Sequence, residues 1–371
     1  MNTTKSGPPF RAEHIGSLLR PKTLTQAYTH HVAGELTDEE FRAIQDHAIQ
    51  EVVVLQESTG LKMVGDGEFR RSSYWAHWVE AIEGLDIAEA LFRFHDADGN
   101  QQAFMAATCI DTLRKTAAIS TGEFEFLEHN TDVTIKITMP SPSTLHFWRQ
   151  GKTIEASPYA SDEAYMNDLC AIYRQEIADL AALGCSYVQL DEVPLIMLAN
   201  NRIRTQVRTF GRDPEKLMDL YIQSINEVVS ARPAGMTIGM HMCRGNFKGK
   251  WLTEGGYEAI AKRVFRETHI DAFCLEFDTA RAGGFEALRF VPSGKKVVLG
   301  LVSTKTPQLE DQGLLEARVR EASSYVPLQD LCISPQCGFA STVSGNPVTL
   351  SDEVNKLRLV VDTAREIWKD A

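Results

Sequence analysis

The sequence alternates between short apolar runs of strand length and longer amphipathic stretches with helical periodicity, and this alternation is what most constrains its fold. The apolar runs are rich in β-branched and large apolar residues, which is typical of parallel strands buried on both faces. Eight runs begin near residues 11, 61, 134, 187, 237, 272, 297 and 331. Eight strand–helix units in 371 residues predict an α/β protein, a (β/α)8 TIM barrel that forms a single domain over residues 1–371.

One part of the sequence departs from this regular alternation. The stretch of about residues 70–131 is too long for a single crossover and is rich in aromatic residues. We therefore expect an insertion after the second strand that carries a hairpin or additional helices. An open, doubly wound sheet is the alternative fold, and it is less consistent with the sequence because no G-x-G-x-x-G turn follows the first apolar run.

Composition narrows the classes of partner. Asp and Glu outnumber Lys and Arg by 50 to 38, and the formal net charge of −12 argues against nucleic acid as a partner. No N-terminal apolar stretch of signal length and no run of about 18 apolar residues is present, so we expect a cytoplasmic protein without membrane association. The 7 cysteines are widely spaced and odd in number, which favours buried thiols or metal ligands over disulfides. A homo-oligomer is compatible with the sequence, which does not decide the oligomeric state.

Metal-ligand side chains gather where the predicted strands end. His241 and Cys243 are two positions apart on one strand, so their side chains project to the same face. With Glu276 on the next strand and Cys337 after the last one, the set offers one nitrogen, two sulfurs and one oxygen, which suits tetrahedral Zn²⁺. An isolated His-x-Cys pair would be better interpreted as a core histidine beside an inert thiol. Four donors at the active ends of barrel strands favour zinc instead.

Two acids lie at the same predicted edge. Asp191 ends the fourth strand, and Glu68 follows the second. Each could bind a substrate amine or cap the helix that follows, and the residues alone leave both interpretations open. No G-x-S-x-G motif is present, so a serine hydrolase triad is not expected.

Five segments together resemble the catalytic domain of cobalamin-independent methionine synthase, and most closely the short, single-barrel members of that family. The segments are His14-Ile-Gly-Ser-Leu-Leu-Arg-Pro21, Gln189-Leu-Asp-Glu192, His241-Met-Cys-Arg-Gly-Asn246, Glu276-Phe-Asp278 and Ser334-Pro-Gln-Cys-Gly-Phe-Ala-Ser341. The resemblance implies a zinc-dependent transferase that moves a methyl group onto a thiol. The leading prediction is S-methylation of homocysteine to methionine, the reaction for which the family's methionine synthases use a methyltetrahydrofolate as donor.

The same resemblance implies roles for individual residues. The residues that match the family's zinc ligands are His241, Cys243, Glu276 and Cys337. The residues that match its substrate-binding groups are Ile15, Gly16 and Ser17 for the homocysteine carboxylate, Glu68 and Asp191 for its amino group, and Trp148 for stacking of the folate pterin.

The sequence departs from the family pattern after the seventh strand. Methionine synthases carry Asp-x-His there, with the His as general acid, whereas this chain has Ser303-Thr304-Lys305. A methyl-folate needs its leaving nitrogen protonated, and a lysine with an ordinary pKa near 10.4 is a poor proton donor at neutral pH. We therefore expect Lys305 to act catalytically by stabilising an anionic group on the donor, and turnover with a methyl-folate to be slow.

Two alternatives stay open at this point. One is zinc-dependent alkyl transfer to another small thiol, such as the opening of an epoxide by coenzyme M, or methyl transfer from a non-folate donor. The presence of both Glu68 and Asp191 favours an amino-acid thiol, because coenzyme M has no amine. The other alternative is a metal that only stabilises the fold, but structural zinc sites are closed and do not lie at the mouth of a barrel.

Overall fold

The computed structural model describes residues 7–369 and 371. In chain order the strands are β1 (Met63–Val64), β2 (Ile82–Glu89), β3 (Phe94–His95), β4 (Gln101–Gln102), β5 (Met105–Lys115), β6 (Thr134–Pro140), β7 (Tyr187–Asp191), β8 (Thr237–Met242), β9 (Ala272–Glu276), β10 (Lys296–Val302) and β11 (Leu331–Pro335). The α-helices are α1 (Lys22–Val32), α2 (Asp38–Ser58), α3 (Ala76–Ala81), α4 (Thr121–Glu128), α5 (Asp162–Ala182), α6 (Pro194–Met197), α7 (Asn201–Thr209), α8 (Pro214–Val229), α9 (Glu258–Glu267), α10 (Gln312–Ala322) and α11 (Leu350–Ile367).

Capping side chains fix where the long helices begin. Thr37 and Glu40 form a reciprocal capping box at the start of α2, and Thr349 and Asp352 form another at the start of α11. The Ser161 hydroxyl accepts a hydrogen bond from the backbone N–H of Ala164 at the start of α5. These contacts satisfy backbone N–H groups that a helix leaves without partners in its first turn.

Seven parallel strands form one curled sheet in the order β1-β6-β7-β8-β9-β10-β11. Strands β6 to β11 are buried over nearly their whole length, as the continuous apolar runs predict. The α/β class and seven of the eight expected strands are therefore confirmed, and the sheet is consistent with a TIM-like barrel.

The run near residue 11 does not form a strand of its own. It makes a single parallel bridge between Ala12 and Ile333, so that it lies beside β11. The bridge is held by a hydrogen bond from the N–H of Glu13 to the carbonyl oxygen of Ile333 (2.9 Å) and one from the N–H of Ile333 to the carbonyl oxygen of Arg11 (2.8 Å). The complete (β/α)8 arrangement stays a prediction.

Residues 70–131 fold mainly by antiparallel pairing. The short β3–β4 pair is nested inside the longer β2–β5 pair, and helices α3 and α4 flank them. The register of β2 and β5 shifts at Gly84, whose φ is +92° and where a Cβ would lie 2.6 Å from the carbonyl oxygen of Thr112. Only glycine fits such a close backbone approach in a left-handed conformation. This segment supplies one wall of the cavity described below.

All seven cysteines are free and buried, as the sequence predicts. Among the residues that the structure describes, no helix combines the length and apolar character that crossing a membrane requires. A cytoplasmic location and the oligomeric state stay predictions.

Candidate metal centre and substrate cavity

Three metal-ligand side chains meet at the carboxyl end of the sheet. His241 is near the end of β8, Cys243 directly follows that strand, and Cys337 follows β11. Their ligand atoms all lie within 4.8 Å of one another, and the two Sγ atoms are 3.7 Å apart. The exposed fractions of the three residues are 3%, 3% and 6%. The arrangement brings together side chains that are far apart in sequence, as expected for a metal site.

The electrostatics of these residues suit a metal ion. Neither ring nitrogen of His241 has a hydrogen-bond partner among the described residues, although both are buried. An unpaired buried polar group is costly, so a His241 nitrogen within 4.8 Å of two thiol sulfurs fits a ligand role. The hydrogen bond between the two thiols holds the pKa of Cys337 well below its usual range, and the nearby His241 lowers this pKa further. One imidazole and two thiols form a donor set that zinc prefers.

Glu276 lies apart from this group of three, at the end of β9. Its Oε2 accepts a hydrogen bond from the backbone N–H of Arg244 at 2.7 Å, and its Oε1 accepts one from Arg281 Nη2 at 2.5 Å. Burial alone would raise the pKa of Glu276, but the charges of Lys305, Arg244 and Arg281 lower it to about 2. The carboxylate is thus compensated by cations, and its role as a metal ligand stays a prediction.

Lys305 belongs to the same buried ion cluster. Its Nζ is 3.7 Å from Glu276 Oε1, and only 8% of the residue is exposed. It is not among the residues that line the neighbouring cavity. The ammonium therefore lies against Glu276, and its positive charge also favours the ionised forms of Cys243 and Cys337. A catalytic role for Lys305 stays a prediction.

A cavity of about 430 Å³ opens above the three metal-ligand residues. The predicted residues that line it are Ile15, Ser17, Glu68, Trp148, Asp191, His241, Cys243 and Cys337. Eight of the site residues predicted from the sequence thus line the same cavity. Gly16 lies just behind it, where a Cβ would come within 2.8 Å of Glu68 Oε1.

Asp191 ends β7 directly beside His241, which is its partner in the parallel register. Its Oδ1 accepts a hydrogen bond from Gln189 Nε2 at 2.8 Å. Burial is the main reason that the pKa of Asp191 is raised to about 7, and the nearby Glu68 adds to the effect. An acid in this state gains from an ammonium group placed against it.

Glu68 is held in an unusual backbone conformation. Its φ is +62°, which is rare for a residue other than glycine and typical of functional sites. The Glu68 carbonyl oxygen accepts a hydrogen bond from Arg20 Nη2 at 2.6 Å, and its Oε1 accepts one from Thr138 Oγ1 at 2.9 Å. Its Oε2 has no partner among the described residues and is available to a ligand.

Trp148 begins a row of four aromatic rings along one side of the cavity, which we call the aromatic wall. It consists of Trp148, Phe104, Phe94 and Phe247, all of which line the cavity. Successive ring centroids are 5.5, 5.0 and 5.4 Å apart. Phe94 and Phe104 come from the segment 70–131, so this segment has a direct part in the site.

Sequence reasoning missed several residues of the site. Tyr74, Asn246 and the remaining rings of the aromatic wall line the cavity, and Gln189 and Arg281 hold predicted site residues. Gln189 carried a usable signal, because it is two positions before Asp191 on a strand and therefore faces the same side. The other residues lie in loops and short pairs for which the sequence offers no such pattern.

Comparisons with known proteins agree over the whole chain. The sequence matches the family described as cobalamin-independent synthase, catalytic domain, over residues 10–366. The uncharacterized protein YxjG of Bacillus subtilis is 38% identical over 367 residues, which cover 98% of this chain and 96% of that protein. A methionine synthase of Pyrococcus abyssi is 24% identical, with 96% of this chain and 93% of that protein covered.

This chain is also similar to a solved structure from the same family. A Listeria monocytogenes protein assigned as a vitamin-B12 independent methionine synthase has 32% sequence identity and a TM-score of 0.77, with 98% of this chain and 99% of that chain covered.

Proposed function

The chain belongs to the cobalamin-independent synthase family of methyltransferases, and from that premise we propose that it is a zinc-dependent enzyme that methylates the thiol of homocysteine to give methionine. The observation that carries the proposal is the meeting of His241, Cys243 and Cys337 within 4.8 Å at a cavity that also presents two acids, Glu68 and Asp191. The metal-ligand set accounts for activation of a thiol, and the acids account for recognition of an amino acid.

The proposed metal site would be held by His241, Cys243 and Cys337. Zinc bound there would lower the pKa of a substrate thiol and fix its orientation. Glu276 is the proposed fourth ligand. To bind the metal, its carboxylate would have to give up contacts with Arg281 and Lys305.

The chain's own residues would position the acceptor. Asp191 and Glu68 would bind its ammonium group, and the segment Ile15–Ser17 its carboxylate. These contacts would place the sulfur beside the metal-ligand residues. The sulfur lone pair then forms the new S–CH3 bond while the bond between methyl and donor breaks, and the donor atom keeps that electron pair.

A thiol without an amine is a weaker candidate. Coenzyme M has no ammonium group to place against Asp191 and Glu68, both of which line the cavity. A non-folate methyl donor, the other part of that alternative, is supported by the two acids and the aromatic rings that line the cavity.

The test is a single-turnover assay that does not depend on the natural donor. Zinc-loaded protein is mixed with homocysteine and methyl iodide, and methionine is quantified by mass spectrometry. We expect methionine to form at least about tenfold faster than without protein, and coenzyme M to be methylated with much less acceleration. A Cys337→Ser variant should show no acceleration. Equal rates with and without protein would overturn the proposed function.

A further inference from the structure

We propose that the methyl donor used by this cavity is a cation, an onium compound whose methyl group is carried on positively charged sulfur or nitrogen. The inference rests on the proposed function and adds the chemical class of the second substrate. Its first support is the sign of the charges. Among the described residues that line the cavity there is no Lys or Arg, whereas Glu68 and Asp191 both line it.

The acceptor does not remove this negative excess. Homocysteine brings one ammonium and one carboxylate, so the groups that line or occupy the cavity are then three carboxylates, two of them from Glu68 and Asp191, against one ammonium. Arg71 offsets part of the Glu68 charge from outside the cavity, with its Nη1 3.8 Å from Glu68 Oε1. A buried cavity with such a surplus attracts cations and repels anions, because the low-dielectric walls concentrate the field. The protein's net charge of −12 adds to the attraction at longer range.

The aromatic wall is the second support. Trp148, Phe104, Phe94 and Phe247 form a continuous row of rings with centroids 5.0 to 5.5 Å apart. Ring faces attract cations, and aromatic surfaces are the usual protein solution for binding methylated onium groups, which cannot donate hydrogen bonds from their charged atom. Aromatic rings and two acids that line the same cavity thus match a methylated cation in its apolar methyl groups and in its charge.

The cations near the site face other groups. Arg281 and Lys305 are directed at Glu276, and Arg244 donates to that residue's backbone carbonyl oxygen. Lys248 lies 5.5 Å from the Phe247 ring centroid but is itself exposed to solvent. Arg71, which is near Glu68, is bound to Glu123 at 2.5 Å. None of these residues lines the cavity, so a donor with several negative charges would meet no Lys or Arg in the cavity wall.

The reaction of an onium donor also balances without a general acid. The acceptor thiol first loses its proton to solvent. Its sulfur then supplies two electrons to the methyl carbon, and the pair of the broken bond stays on the donor's sulfur or nitrogen, which becomes a neutral thioether or amine. No proton is needed for this leaving group, whereas the nitrogen of a methyl-folate must be protonated. The lysine at position 305 is therefore compatible with turnover of a cationic donor.

The first experiment compares donors on zinc-loaded protein with homocysteine: trimethylsulfonium, 5-methyltetrahydrofolate and, as a charge-independent reference, methyl iodide. We expect methionine from trimethylsulfonium at a rate at least about tenfold above that from 5-methyltetrahydrofolate. Faster turnover of the folate would overturn the inference and leave the proposed function intact. No acceleration even with methyl iodide would overturn both.

The second experiment measures binding alone by calorimetry. Benzyltrimethylammonium is compared with its neutral isostere (2,2-dimethylpropyl)benzene and with anionic phenylacetate. Phe104→Leu keeps an apolar side chain but removes a ring face, so it should weaken binding of the cation about fivefold and that of the isostere less than twofold. Phe210→Leu is the control, because Phe210 packs on Phe92 and does not line the cavity. Equal affinities for the cation and the anion in the unmodified protein would contradict the inference.

Discussion

The side-chain amide of Gln189 is hydrogen bonded to the backbone of Ile15, with its Nε2 2.7 Å from the carbonyl oxygen of a residue 174 positions away. The same Nε2 is 2.8 Å from Asp191 Oδ1, and the amide oxygen accepts a hydrogen bond from Lys136 Nζ at 3.2 Å. Lys136 thereby fixes which end of the amide faces the site. Gln189 holds the proposed carboxylate-binding segment against the proposed amine-binding acid.

Replacing this amide should impair acceptor binding selectively. We expect Gln189→Met to raise KM for homocysteine about tenfold, the loss typical of buried hydrogen bonds to a charged group, with little change in donor KM or zinc content. Gln56→Met is the matched control, because Gln56 is equally buried but bonds to Val52 and Gly65 away from the cavity. Parallel changes of both KM values in the Gln189 variant would indicate a structural role only.

Asp191 predicts a pH dependence of amino-acid binding. Burial, with Glu68 nearby, raises the pKa of Asp191 to about 7 in the free protein, and the ammonium of the ligand prefers the ionised form. Affinity should therefore rise as pH increases through about 6 to 8 and level off above. Methionine is the suitable probe, because it has no thiol proton to lose. Calorimetric titration of Asp191→Asn should give weaker binding, by about 1.5–3 kcal/mol at pH 8, with no such rise. A rise that persists in the Asn variant would assign it to another group.

Glu353 predicts a pH dependence of stability. It lies in α11 with no exposed surface and accepts a hydrogen bond from the backbone N–H of Leu19 at 2.8 Å. Burial raises its pKa to about 8. Between pH 4.5 and 8 the folded state therefore binds more protons than the unfolded state, and the free energy of unfolding falls as pH rises.

Replacing Glu353 by Gln should make the free energy of unfolding depend less on pH. Between pH 5.5 and 8 the unmodified protein should lose about 2–4 kcal/mol more than Glu353→Gln, as measured by urea denaturation. Glu366→Gln, an exposed position on the same helix, should behave like the unmodified protein. Identical pH profiles for the Glu353 variant and the unmodified protein would show that this carboxyl does not titrate in that range.

Loss of either proposed thiol ligand should remove the metal. Cys243→Ser and Cys337→Ser each delete one sulfur from the group of three, so zinc content measured by mass spectrometry should fall from about one per chain to well below one half. Cys170→Ser, which changes a buried thiol in α5, should retain zinc. Full occupancy in both ligand variants would exclude these residues as the site.

Most of the strands that position this site could be predicted from the sequence, because buried parallel strands have strong local patterns. The runs at Thr134–Pro140 and Tyr187–Asp191 coincide with β6 and β7, since a buried parallel strand must be apolar throughout. Strand alternation also placed His241 and Cys243 on one face, and the carboxyl ends of parallel strands brought Cys337 to them.

The rest depends on tertiary contacts that leave no local pattern. The compensation of Glu276 by Arg281 and Lys305 arises from loops that follow different strands. The run near residue 11 is too weakly paired to form a strand, because its neighbours turn towards the cavity at Ile15. The aromatic wall needs the antiparallel pairing within residues 70–131, whose short strands carry little period-two signal.

Zinc X-ray absorption spectroscopy with and without homocysteine tests most directly whether the homocysteine thiol binds to zinc at the proposed site. Zinc bound by Cys243 and Cys337 would have two sulfur neighbours from the protein, and we expect a third when homocysteine is added, with no such gain for methionine. Unchanged sulfur coordination at a homocysteine concentration that calorimetry shows to be saturating would contradict this expectation, because the thiol would then be bound without reaching the metal.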